Sequence, residues 1–155
     1  MRAITVWQPY ASLVSVRAKS IETRSWGTTY RGPLLVHASK KWDPALRLAL
    51  RDAQRDLRRL GLSLLDVDDL PFGAVVAVAI LADSRPMDRA PDARNEAFGH
   101  FGLDRYGWVL EDIRALPRPI PWAGSQGLWH VPGELEERVR MALNPKLTHV
   151  GAPTP

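Results

Sequence analysis

The 155 residues include no cysteine, which excludes disulfides and thiolate metal sites. The four histidines, His37, His100, His130 and His149, stand far apart and match no ligand spacing, so no structural zinc is expected; no metal or cofactor is assigned to the chain. No stretch approaches the roughly eighteen consecutive apolar residues of a membrane helix. The opening segment breaks off at Gln8-Pro9, where a signal-peptide core would continue. These absences point to a soluble, cytoplasmic chain with no membrane partner. There is no internal repeat and no low-complexity tract. What remains, 45% hydrophobic and 25% charged residues, is enough for one packed domain and would be cramped for two. One domain over 1–143 is expected, followed by a flexible C-terminal tail over 144–155, whose Pro, Gly and Thr residues bury little apolar surface.

The charge is unevenly spread. Residues 1–60 carry twelve Lys/Arg against four Asp/Glu, a net +8, whereas residues 61–155 carry nine against thirteen, a net −4. A basic half of this kind suits phosphates or another polyanion, although such an asymmetry also arises on an ordinary solvated surface.

Hydrophobic period supplies the coarse structure. Arg2 to Trp7 alternates and is β-branched at Ile4, Thr5 and Val6, the pattern of a strand. Pro9 suits the first turn of a short helix to about Val16, with Leu13, Val14 and Val16 toward the core. Lys19 to Trp26 reads as a polar segment, and Leu34 to Ala38 as a central strand after the turn at Gly32-Pro33. From Asp43 the spacing of Leu46, Leu50, Ala53, Leu57 and Leu60 predicts an amphipathic helix capped by Asp43-Pro44 and stopped by Gly61. Gly73 to Ala82 is apolar on both faces and reads as a buried strand. Asp83 to Asp92 is expected to be a loop and Ala93 to Phe98 one or two helical turns. Strands are expected at Tyr106 to Ile113 and Leu128 to Val131, separated by the proline-rich Leu116 to Pro121, with a terminal helix over Glu134 to Leu143. Short strands interleaved with helices give an α+β domain built on a small, mixed, partly closed β-barrel with flanking helices.

The densest chemistry lies in the first forty residues: WQPY at 7–10, KSIETRSW at 19–26 and YRGPLLVHAS at 30–39. Lys19, Glu22 and Arg24 put an ammonium, a carboxylate and a guanidinium within six positions. Glu22 can pair with one cation and leave the other free. Arg24 offers planar bidentate donors to a phosphate or a base edge, and Lys19 a compact charge that can lose its proton if desolvated. Trp7 and Trp26 are candidate stacking faces, and base stacking on an aromatic contributes roughly 1–3 kcal/mol, comparable with a bidentate polar contact. Each residue also has a plainer reading. The charged triplet is equally a solvated ion-pair face, Trp108 and Trp129 read as core anchors, Gln8 as a local cap, His37 as a satisfied core histidine, and the arginines of the long helix as a solubilising row.

These motifs, together with GAVVAVA at 73–79, RYGWVL at 105–110 and QGLW at 126–129, resemble the ASCH family of the PUA-like superfamily over about residues 2–131. The Lys-x-x-Glu-x-Arg element beside Gln-Pro is its most specific part. Two departures stand out: Arg17-Ala18 occupies a region where the family commonly has glycine, and Tyr10 replaces a frequent tryptophan. The resemblance implies nucleic-acid binding, RNA before DNA, or nucleotide binding. Trp7, Gln8, Lys19, Glu22, Arg24, Trp26, His37 and Ser39 would then meet the ligand, and Arg31, Lys40, Lys41, Arg51 and Arg55 its phosphates. It also implies an alternative, since one bacterial branch hydrolyses acylated cytidine and ribonuclease activity is attributed to another member. In the amidohydrolase branch a lysine, a threonine three residues on and a later glutamate act together. Here Lys19 and Glu22 would carry catalysis, with Glu22 standing in the threonine's place and Glu96 as a weak candidate for the later carboxylate. A docking role for the Arg-rich helix on an acidic protein is a third reading.

Overall fold

The computed structural model describes residues 1–145. The strands β1 (Arg2–Val6), β2 (Ile21–Arg24), β3 (Gly32–Ala38), β4 (Ala74–Pro86), β5 (Tyr106–Pro121) and β6 (Leu128–His130) form one sheet in the order β2-β5-β4-β3-β1-β6. Only β1 and β3 run parallel. Four helices flank the sheet: α1 (Tyr10–Ser15), α2 (Leu46–Arg59), α3 (Ala93–Phe98) and α4 (Gly133–Leu143). The architecture is the expected α+β half-barrel.

Strand alternation divides the interior into two layers. Ile4, Val6, Leu34 and Val36 turn to one face with Trp108 and Val14. Their neighbours Ala3 and Leu35 turn to the other, where Leu135 and Val139 of α4 and Trp129 cover them. A third cluster joins the helices, Leu13 meeting Ala53 and Leu57 of α2 and Phe98 of α3. Of the residues selected by the amphipathic period of α2, Leu46, Ala53 and Leu57 are buried and Leu50 and Leu60 half-buried, and Gly61, at φ +70, ends the helix as the Leu62 amide bonds back to the Leu57 carbonyl.

Several expectations need correction. Lys19 to Trp26, read only as a polar segment, contains the strand β2, and its Lys19, Glu22 and Thr23 are buried. Val16 is exposed rather than turned to the core. The helix after Asp43 starts at Leu46, because the Asp43 carboxylate accepts the Ala45 amide and holds the preceding residues as a turn. The loop expected from Asp83 begins later, since β4 runs to Pro86. The proline-rich Leu116 to Pro121 does not separate strands but belongs to β5. Prolines fit there because Ala115 pairs with Ala77 and Ile120 with Val75, so residues 116–119 bulge outside the regular ladder. A second bulge sets Asp112, at φ 46, and Ile113 against Ala79 alone. Of the expected C-terminal tail, 146–155 lie outside the described residues.

Candidate functional site

The sheet curls until its edge strand β2 approaches β1. β6 covers β1 only at Arg2–Ile4, which leaves the Thr5 carbonyl open, and Arg24 Nη2 donates to it at 2.8 Å. Two cavities open along this seam. The first, of about 410 Å³, is lined by Lys19, Glu22, Thr23 and Arg24 from the β2 region, Trp7 before α1 and Tyr10 at its start, and residues 97–100 at the end of α3 with Arg105. The second, of about 630 Å³, is lined by Trp26, His37, Ser39, Lys40, Lys41 and the 124–127 loop. Thr5, Trp7 and Arg24 belong to both and form the partition.

Local sequence explains how Lys19 comes to lie inside. The chain leaves α1 through Arg17, at φ 64, and the Ala18 and Lys19 amides both bond to the Leu13 carbonyl. The helix therefore ends in a left-handed residue, in the region where the family commonly has glycine, and here that residue is an arginine whose Nε donates to the Ile113 carbonyl at 2.8 Å. Lys19 is only 2% exposed. Its Nζ donates to the Phe98 carbonyl at 2.7 Å, lies 3.9 Å from Glu22 Oε1 and sits 5.2 Å from the centre of the Tyr10 ring. Burial pushes its ammonium below the ordinary lysine range, against the pull of Glu22. Phe98 ends α3, and Asn95 Oδ1 in that helix accepts the Ser20 and Ile21 amides and so clamps α3 to the start of β2.

The polar inventory is incomplete in an informative way. Glu22 Oε1 accepts the Thr23 amide at 3.0 Å, while Oε2 is buried with no partner. Arg24 Nε and His37 Nδ1 are likewise buried and unpartnered, and no other described side chain has such an atom. Native interiors satisfy nearly all buried polar groups. All three exceptions belong to residues lining the seam.

Trp7 is 51% exposed, with the Lys41 ammonium 4.5 Å from its ring centre. Trp26 stands edge-on to Trp108 at 4.8 Å and opens into the second cavity only. Trp108 and Trp129 are core residues whose indole N–H groups donate to the Trp26 carbonyl and Thr5 Oγ1. His37 is buried, with Nε2 against the Trp122 carbonyl at 2.8 Å, and burial lowers its pKa. Ser39 Oγ accepts the Lys41 amide.

Gln8 lines neither cavity: its Nε2 donates to Ser12 Oγ and the Pro71 carbonyl and its Oε1 accepts the Ser12 amide, so it is a clamp between α1 and the 71 loop. Glu96 is exposed in the first turn of α3 and also lies outside both cavities. Of the phosphate candidates, Lys40 and Lys41 reach the second cavity. Arg31 pairs with Asp83, while Arg51 and Arg55 pair with Asp52 and Asp56 along α2. Sequence reasoning missed Thr23, His100, Arg105 and the 124–127 loop. Thr23 Oγ1 accepts the His100 amide and its carbonyl accepts Arg105 Nη2, a link across more than seventy residues that no local motif marks.

The sheet order and this seam define a PUA-like α+β domain. The chain belongs to the ASCH domain family, whose model matches residues 4–97. It is 26% identical over 145 residues to Activating signal cointegrator 1 of Homo sapiens, an alignment covering 90% of this chain and 24% of that protein. The chain thus spans about a quarter of that relative's length. The crystal structure of ASCH from Zymomonas mobilis matches with a TM-score of 0.57 at 13% identity, covering 90% of this chain and 92% of that one. A mutant form of the same bacterial protein matches at 0.55 with 12% identity, covering 90% and 95%. At these identities the likeness is one of fold.

Proposed function

We propose that this chain binds nucleic acid, RNA in preference, or a nucleotide, taking one unpaired base into the first cavity. The observation that carries the reading is the buried, unpartnered Glu22 Oε2 in a cavity that Lys19 and Arg24 also line. A base edge supplies N–H donors for the carboxylate and carbonyl or ring-nitrogen acceptors for the cations, whereas a phosphate would meet Glu22 with like charge. Trp7, half exposed at the rim, offers a stacking surface. Zero cysteines are in keeping with a reducing, cytoplasmic setting.

A second reading, hydrolysis of an acylated base, draws on the same pair. Glu22 would take a proton from water attacking the acyl carbon, and the Lys19 ammonium, made more acidic by burial, would donate one to the departing amine as the C–N bond breaks. A carboxylate is a poor substitute for a hydroxyl nucleophile, so a covalent acyl-enzyme is not part of this reading.

Glu22→Gln separates the two. Binding of single-stranded RNA and of nucleosides, and release of acetate from acetylated cytidine, are measured on parent and variant. Binding predicts no turnover by the parent and an altered preference among bases in the variant, at a cost of roughly 1–3 kcal/mol. Turnover by the parent that vanishes in the variant with affinity retained would establish the hydrolase instead. No binding and no turnover would reject both.

A further inference from the structure

The two cavities differ in chemistry as well as position. The first mixes cations with the Glu22 carboxylate. The second has Arg24, Lys40 and Lys41 on its walls and, among the described residues lining it, no Asp or Glu. Lys40 and Lys41 form no ion pair with any described carboxylate, unlike Arg31, Arg51 and Arg55. Burial lowers the pKa of His37, against the opposing pull of the Trp122 carbonyl on Nε2, so the ring is not counted among the cations. The hydroxyls of Ser39 and Ser125 and the main chain of the Gly124–Gly127 loop complete a compartment suited to an anion.

The partition adds direction. Arg24 lines both compartments, gives Nη2 to the Thr5 carbonyl and keeps a buried Nε without a partner. Trp7 also lines both, but Lys41 lines only the second, so the ammonium covers the ring from that side and leaves the first-cavity side open for a base. A free base or nucleoside would fill the first compartment and leave the second cationic surface uncompensated. A phosphodiester running across Arg24 would neutralise it and lead the chain onward.

Resting on the binding reading above, we propose that the second cavity is a phosphate compartment. The ligand is a single strand of at least two linked nucleotides, its unpaired base in the first cavity and its phosphodiester crossing Arg24 to Lys40 and Lys41. Duplex ends and free nucleosides satisfy only part of this arrangement.

The test compares the four nucleosides with ApA, CpC, GpG and UpU by calorimetry or tryptophan fluorescence, in the parent and in Lys40→Gln/Lys41→Gln. Both lysines are exposed, and a thermal melt checks that the variant folds. In the parent the best dinucleotide should bind about tenfold or more tighter than its nucleoside, with the gain shrinking as salt rises. In the variant that ratio should collapse toward one. Nucleoside binding without a dinucleotide gain in the parent overturns the phosphate compartment and leaves the binding reading standing. A gain that persists in the variant overturns the assignment to Lys40 and Lys41. Failure of every probe to bind the parent overturns both readings.

Discussion

Arg24 Nη2 donates a 2.8 Å hydrogen bond to the Thr5 carbonyl, joining the edge strand β2 to β1 across the open side of the half-barrel. The bond links two residues that are neighbours neither in sequence nor in strand order, and it stands in the wall between the two cavities. A closed barrel would pair these strands along their backbones. Here one guanidinium bridges them and the rest of the seam stays open as a cleft.

Arg24→Ala should therefore lower stability and alter ligand selection together. Losing a partly buried charged hydrogen bond costs roughly 1–3 kcal/mol, and the partition loses one of its three residues, leaving Thr5 and Trp7 between the compartments. Arg24→Lys should recover little, because an ammonium cannot hold the Thr5 carbonyl and present planar donors to a ligand at once. Urea melts and a base-preference panel on both variants test this. An Arg24→Ala protein with parental stability and parental preference would contradict the assigned role.

The end of α1 offers a second test. A left-handed residue with a Cβ carries a strain of roughly 1 kcal/mol, which glycine avoids, and Arg17 at φ 64 bears it while its Nε holds the Ile113 carbonyl. Arg17→Ala keeps the strain and loses the bond, whereas Arg17→Gly loses both. The glycine variant should be more stable than the alanine variant by about 1 kcal/mol, reversing the usual order of these residues in regular structure. Equal or inverted midpoints in chemical denaturation would count against the strain.

His37 predicts a pH dependence of stability. Burial lowers its pKa in the folded protein, so as pH falls through the window beneath the unfolded value of about 6.5 the unfolded chain takes up the proton first. Stability from this group is complete above that window and declines on acidification. His37→Gln retains an N–H donor for the Trp122 carbonyl but does not titrate, and its melting temperature should fall less than the parent's between neutral and mildly acidic buffer. Parallel declines in the two proteins would assign the dependence elsewhere.

Much of this was legible in the sequence because it rests on local rules. The period of Leu46, Ala53 and Leu57 specified the buried face of α2, alternation at Ile4 and Val6 specified β1, and the apolar run from Gly73 marked β4. The Lys19, Glu22 and Arg24 spacing singled out three residues that line one cavity. The sequence left Lys19 open between a cleft residue and a solvated ion-pair face, because the Phe98 carbonyl that compensates its burial comes from seventy-nine residues away. Prolines misled in β5, where a bulge removes the need for the missing amides of Pro117 and Pro119 and Pro121 stands at the strand's end.

Composition and period by themselves determined the α+β class, the basic first half and the charged triplet, since these follow from residue type and nearest-neighbour geometry. Only the tertiary structure decided that the seam opens into two cavities rather than one, that Gln8 clamps α1 to the 71 loop, and that Arg51 and Arg55 pair with carboxylates on their own helix. Those outcomes depend on how far the sheet curls, which brings β2 to β1 and residues 97–100 and the 124–127 loop to the seam. Curl is a summed effect of strand twist, bulges and packing over the whole sheet, and no short stretch of sequence encodes it.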